Sequence, residues 1–270
     1  MHKNFQKIKE IIDEKYCNDY NAETVSPYLE WFHSKWPGSI AAVIFYGSCL
    51  GRGMSKESST PDFFIITRSY LEFHKNIFHS MLNAILPPST YSINKNGLRG
   101  KYNVLSMRDI ARGTTPKAKD IYNLGRLSKR VALVYWGDNS VKQALLDNFA
   151  NAFYTVALKA IHLTPKIFSQ NDLINYALRI SYVGEKRIEA EDKISKLRSS
   201  ENNFYEKIYS LILSDLVTER TLKQSKDQYE IKHYLSLGNR LARYRVKLFL
   251  RISAVRAKLR WPKSIYTFEG

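Results

Sequence analysis

Apolar residues recur at helical spacing over residues 3–16, where Phe5, Ile8, Ile11 and Ile12 share one face and predict an amphipathic first helix. Residues 25–37, carrying Trp31 and Trp36, predict a second helix ended by Pro37-Gly38. The apolar run at 41–46, and a second one opened by Asp62 over 62–67, predict buried strands. A helix is predicted over roughly 71–86, stopping before Pro87-Pro88. Further strands are predicted at 100–106 and 131–136, with a helix near 116–124 between them. This mixing of strands and helices predicts an α/β domain built on a sheet.

The pattern changes after Gly137-Asp138-Asn139-Ser140, a turn that offers a ready helix cap. Helical spacing then dominates at 141–162, 171–183 and 203–217, and residues 264–268 read as a strand returning to the sheet. The expected organisation is therefore a sheet domain over residues 1–138 and a mainly helical domain over 139–270. The chain shows no internal repeat and no low-complexity segment.

Composition narrows the class of partner. Hydrophobic residues at 44% and aromatic ones at 13% exclude a disordered or fibrous chain. The 42 Lys and Arg against 25 Asp and Glu leave a formal charge of +17. Such a surplus attracts polyanions: nucleic acid, an anionic membrane surface or phosphorylated small molecules. Arg240, Arg243, Arg245, Lys247, Arg251, Arg256, Lys258, Arg260 and Lys263 lie in a segment, 231–268, that holds no acid and interleaves them with apolar residues. That segment reads equally as a surface for anionic lipid or as a core helix with a solvated basic face. Cys17 and Cys49 form no disulfide framework and no metal-binding pair, so a reducing compartment is expected, with Cys49 as a small filler. The N-terminal residues resemble neither a signal nor a transit peptide, and the apolar runs fall short of a membrane span.

The strongest chemical signal is Gly47-Ser48 at the end of the first strand, followed by Asp62 opening the second. A turn's N–H groups and a hydroxyl can hold phosphates beside a carboxylate that binds Mg²⁺. This is the layout of polymerase-β-type nucleotidyltransferases, except that Phe64 stands where their second acid falls. Read alone, the pair fits a tight turn and a strand-end cap equally well. Gly47 to Gly53 lacks the Gly-Lys-Ser/Thr ending of a P-loop, and Gly51-x-Gly53 does not continue into a dinucleotide fingerprint.

Further blocks follow in order: Lys101-Tyr102-Asn103-Val104, Gly125-Arg126-Leu127-Ser128-Lys129-Arg130-Val131 and Ser181-Tyr182-Val183-Gly184-Glu185-Lys186-Arg187. With Tyr46-Gly47-Ser48 and Asp62-Phe63, their order and spacing resemble the mitochondrial-type CDP-diacylglycerol synthases, over roughly residues 40–268. The resemblance implies a nucleotidyltransferase domain, polymerase-β-like, followed by a helical, winged-helix-like domain. It implies CTP, phosphatidic acid and Mg²⁺ as reactants and cofactor, an anionic membrane surface as the setting, and no nucleic-acid partner.

On this resemblance Tyr46, Gly47 and Ser48 bind CTP, Asp62 holds the metal and Lys101 meets phosphate charge. Arg126, Tyr182, Glu185 and Arg187 line the substrate site, and the basic segment, where it is read as a lipid surface, offers Arg251, Arg256 and Arg260 to the lipid. Three positions depart from the family pattern: Cys49 follows the Gly-Ser pair, Asn103 replaces a glycine and Glu185 replaces an aspartate. The second metal carboxylate is unassigned among Glu57, Asp109, Glu191 and Asp192. The expected location is the bacterial cytoplasm, peripheral on the inner membrane face, with the matrix side of the mitochondrial inner membrane as the alternative. Two other readings remain: a transferase acting on RNA or a protein side chain, and a nucleic-acid-binding protein with a decayed site.

Overall fold

The computed structural model describes residues 2–50, 60–95, 97–183 and 190–265. Helices α1 (Phe5–Asn18) and α2 (Ala22–Lys35) precede strands β1 (Ile40–Tyr46) and β2 (Asp62–Thr67). Short helices α3 (Tyr70–His74) and α4 (Ile77–Ile85), strands β3 (Ser89–Lys95) and β4 (Leu98–Ser106), and helix α5 (Met107–Gly113) come next. Helix α6 (Ile121–Leu127) and strand β5 (Ala132–Trp136) lead to α7 (Asn139–Ile161). The remainder is β6 (Ile167–Ser169), α8 (Gln170–Val183), α9 (Ala190–Thr218), β7 (Leu222–Ser225), β8 (Gln228–Ile231) and α10 (Leu237–Ile265).

The chain divides into two compact units, each assembled from separated stretches. One contains Asp13–Arg112, Arg130–Asn148 and the residues from Lys258 onward. Its five-stranded sheet has the order β3-β4-β2-β1-β5. Only β2 and β4 pair in parallel; the other neighbours are antiparallel. Successive side chains of a strand point to opposite faces. Phe45, Phe63, Ile65, Tyr102, Val104 and Ile93 therefore share a face, where they are buried in one cluster with Tyr28, Phe32 and Trp36 of α2. Asn21 starts α2 by accepting a hydrogen bond from the Thr24 N–H at 3.2 Å. Cys49 belongs to this cluster, as expected of a small filler.

The other unit contains the residues up to Ile12, Gly113–Lys129 and Phe149–Ala257. Here α8 and α9 are followed by β7 and β8, and the small sheet has the order β6-β8-β7. Two helices closed by a three-stranded antiparallel sheet, with the last two strands as a wing, make a winged helix. The expected combination of a mixed α/β sheet and a mainly helical, winged-helix-like portion is what the structure contains.

Several local expectations are corrected. The single helix predicted over 71–86 is two helices, because Lys75 adopts φ 50° and Asn76 caps α4 by accepting from the His79 N–H at 3.1 Å. An Asn side chain competes with the helical backbone, so it favours a new start over continuation. The helix predicted at 203–217 extends back to Ala190, with a kink at Glu201 (φ −129°, ψ 19°). Ser264 and Ile265 end α10 and are not strand residues, while 266–268 lie outside the described residues. Strand β3 and helix α5 were not foreseen.

Candidate active site

The sheet brings together three residues that are far apart in sequence. Across β1 and β2, Tyr46 pairs with Asp62; across β2 and β4, Asp62 pairs with Lys101. The three side chains share the sheet face opposite α2, at one end of adjacent strands. Gly47 follows at φ +95°, a conformation that L side chains rarely adopt, and a Cβ there would sit 3.0 Å from Asp62 Oδ2. The Asp62 carboxylate thus lies against the bare backbone of the turn. That turn is closed by the Leu50 N–H donating to the Gly47 carbonyl at 3.3 Å, and Ser48 is exposed on it. Asp62 is half-buried and Lys101 is exposed.

Phe64, in the place of a second acid, has a packing role. Its ring stacks on Tyr46 with centroids 4.5 Å apart. The Tyr46 hydroxyl accepts from Asn103 Nδ2 at 2.6 Å, and Asn103 Oδ1 accepts from the Thr90 hydroxyl at 2.6 Å. Asn103, which departs from the family glycine, therefore fixes Tyr46 beside Asp62. Sequence reasoning missed Asn103 and Thr90 as supports. The signal was available only in the parallel β2–β4 register, which pairs Phe64 with Asn103.

Two of the candidate second carboxylates are engaged elsewhere. Asp109 follows β4 at its far end, where it accepts from the Tyr70 hydroxyl at 2.7 Å and the Ser106 hydroxyl at 2.9 Å. Burial first, and then this hydrogen bond and the Asp109 charge, push the Tyr70 phenol well above its usual range, so it stays a donor. Glu191 pairs with Arg179, whose Nε donates at 3.0 Å. Glu57 lies outside the described residues. Among the described residues no group of three or more His, Cys, Asp and Glu is placed to hold a metal. Mg²⁺ commonly takes one or two carboxylates plus substrate phosphates and waters. A half-exposed Asp62 beside the turn that carries exposed Ser48 fits that donor set.

A second group of candidate residues lies on α6 and α8. The Arg126 guanidinium stacks 3.6 Å from the Tyr122 ring centre and donates to the Tyr122 carbonyl at 3.2 Å. The Lys129 ammonium lies 4.2 Å over the buried Tyr182 ring. Glu185 and Arg187 lie outside the described residues.

The basic segment is the helix α10. Its inward face caps α6: the Ser253 hydroxyl accepts from the Ile121 N–H at 3.0 Å, and Asp120, itself the α6 cap, accepts from Arg256 Nε at 2.6 Å. Arg260 Nε donates to the Pro87 carbonyl at 3.0 Å. Two of the three arginines expected at lipid thus have intramolecular partners, whereas Arg251 is exposed. On another face of α10, Leu241, Tyr244, Leu248, Ile252, Val255 and Leu259 are 41–61% exposed. Their spacing of three and four residues makes one stripe.

The family model for mitochondrial phosphatidate cytidylyltransferase matches residues 89–251, more than half of the chain. The chain belongs to this family. It is accordingly a nucleotidyltransferase, and CDP-diacylglycerol synthesis is the activity that membership implies. The match in this cytidylyltransferase-family chain covers Lys101, Arg126, Tyr182 and Arg251, and begins after Gly47 and Asp62. The family is described as mitochondrial, in line with the second of the two expected locations. A similar solved structure is the nucleotidyltransferase-like protein from Exiguobacterium sibiricum 255-15. It shows 9% identity and a TM-score of 0.29, covering 91% of this chain and 77% of that one. No curated protein matches the chain. Among the described residues no helix is long and apolar enough to cross a membrane.

Gly125, in the family block Gly-Arg-Leu, allows α6 to approach α8: a Cβ there would lie 2.7 Å from Ser181 Cβ and 3.0 Å from Ser181 Cα. Gly125→Ala gains about 1 kcal/mol in helix propensity but forces an overpacked contact worth about 1–3 kcal/mol. The expected net loss, roughly 1 kcal/mol, is read from the urea midpoint. Adding Ser181→Gly is expected to recover part of it.

Proposed function

We propose that this chain transfers the cytidylyl group of CTP to phosphatidate at an anionic membrane surface, giving CDP-diacylglycerol and pyrophosphate. The observation that carries the proposal is the adjacency of the Gly47 turn at the end of β1, Asp62 on β2 and Lys101 on β4. A phosphate oxygen of phosphatidate forms a bond to the α-phosphorus of CTP. The bond from that phosphorus to the bridging oxygen breaks, and its electron pair leaves with pyrophosphate. The attacking phosphate is already ionised, so no strong general base is needed. The residues act by positioning and by neutralising charge. Ser48 and the backbone of the Gly47 turn bind the CTP phosphates. Lys101 places its ammonium on the phosphate charge. Asp62 is the residue that would hold Mg²⁺, which when bound neutralises phosphate oxygens. Arg126, Tyr182, Glu185 and Arg187 are further substrate-binding residues that the family blocks nominate. The membrane is the bacterial inner face or the matrix side of the mitochondrial inner membrane.

The outward stripe of α10 supports the membrane setting, because exposed Arg240, Lys247, Arg251 and Lys258 run beside it. Each cation near an anionic surface adds about 1 kcal/mol. Neutralising Lys247, Arg251 and Lys258 to Gln is expected to weaken binding to phosphatidylglycerol vesicles roughly tenfold or more. Unchanged sedimentation at low salt would place the lipid contact elsewhere.

Incubating the purified protein with labelled CTP, Mg²⁺ and phosphatidate vesicles tests the reaction itself. CDP-diacylglycerol is the expected product. Its absence while a control synthase works would overturn the proposal, and RNA retained at moderate salt would then favour a nucleic-acid role for the winged helix.

A further inference from the structure

Helix α4 is inside out. The side chains it buries are Ser80 and Asn83, while Ile77, Phe78, Met81 and Ile85 are 57–70% exposed. The burial is held by specific bonds. The Ser80 hydroxyl donates to the Tyr70 carbonyl at 3.1 Å and the Asn76 carbonyl at 2.6 Å, and Asn83 Nδ2 donates to the Val104 carbonyl at 3.1 Å. The polar side is thereby locked against the sheet unit, and the apolar side is committed outward. Leu71 of α3 and Leu82 extend the exposed patch. An exposed contiguous apolar face of this kind marks a contact surface.

Charge selects the occupant. Residues 73–108, which include all of α4, contain no Asp or Glu, and they carry Lys75, Lys95, Arg99, Lys101 and Arg108, all exposed. This stretch and 231–268 are the two longest in the chain without an acid. They meet where Arg260 of α10 donates to the carbonyl of Pro87, two residues past the end of α4. An apolar helix face in acid-free, cationic surroundings is complementary to the interface of an anionic bilayer, where apolar side chains enter the acyl boundary and cations meet headgroups.

We propose that the outward face of α4, through Ile77, Phe78, Met81 and Ile85, inserts into the interfacial layer of an anionic membrane. α4 is thus a membrane contact separate from the outward stripe of α10. The inference rests on the membrane-surface reading of the enzyme and adds a second, hydrophobic anchor in the sheet unit. Insertion of α4 would tether to the membrane the unit that carries Asp62 and Lys101.

The test uses the full chain and vesicles of phosphatidylcholine with phosphatidylglycerol, which are not substrates. Phe78→Ser, Met81→Ser and Ile85→Ser together replace exposed side chains, so the thermal midpoint should hold. Vesicle affinity is expected to fall roughly tenfold or more, since binding scales with buried apolar area. Phe78→Trp in the otherwise unaltered chain should add a blue-shifted emission component on vesicle addition. Unchanged affinity in the triple variant, or no blue shift in the emission that Phe78→Trp adds, overturns the proposal. So does a parent dimer that the triple variant converts to monomer with vesicle binding retained, since α4 would then cover a second copy. Turnover of CTP with dispersed short-chain phosphatidate is measured in parallel. If the parent shows none, the enzymatic reading fails while the vesicle result still decides α4; if it does, the triple variant should retain it.

Discussion

Asp62→Asn is expected to lower turnover roughly a thousandfold while leaving the fold intact, a loss of the size seen when a preorganised charge is removed from a transferring group. The substitution keeps the side-chain shape against Gly47, whose missing Cβ is what lets Oδ2 approach the turn. What it removes is the negative charge at the one strand position flanked by both Tyr46 and Lys101. Stability should move little, because the half-exposed side chain keeps its shape and its access to water. Steady-state CTP kinetics with phosphatidate, alongside a thermal melt, separate the two effects. Lys101→Ala should cost less, about a hundredfold, because on the proposed mechanism the backbone of the Gly47 turn still meets the phosphates. Full activity in Asp62→Asn would remove the carboxylate from the mechanism and leave the Gly-Ser turn as a structural bend.

Asp120→Ala is expected to destabilise the winged-helix unit by about 3 kcal/mol. One carboxylate performs two tasks. Oδ1 accepts from the Tyr122 N–H at 3.0 Å and caps α6, and Oδ2 accepts from Arg256 Nε at 2.6 Å. Loss of a cap costs about 1 kcal/mol. Removing the partner of a buried charge costs about 3–5 kcal/mol, reduced here because the Arg256 side chain is 20% exposed and can draw on water. Asp120→Asn keeps the cap and loses the charge, so it should fall between Ala and the parent. Urea unfolding followed by far-UV circular dichroism gives the ranking. Equal midpoints for Asn and the parent would mean that the ion pair contributes nothing.

The strands of the site were legible because continuous apolar runs end sharply. The run at 63–66, opened by Asp62, lies within β2, and that at 41–46 lies within β1. β3 was not legible, since Ser-Thr-Tyr-Ser-Ile-Asn-Lys at a sheet edge leaves most of its side chains only partly covered and needs little apolar character. α4 misled for the opposite reason. Its apolar spacing reads as an inward face, yet hydrogen bonds to the Tyr70 and Val104 carbonyls draw Ser80 and Asn83 inside. Gly47, Asp62 and Lys101 could each be nominated from local motifs. Their adjacency could not, because it depends on β4 pairing in parallel with β2 after α3, α4 and β3 have intervened.

The parallel pairing also governs what an activity assay measures. Side chains alternate along β2, so a slip of one residue would turn Asp62 toward α2 and bring Phe63 to the phosphate side. No partly correct register retains the site. Catalytic rate per molecule therefore reports the fraction of chains whose central strand is properly threaded, and a preparation that is compact but misregistered would be silent in the CTP assay.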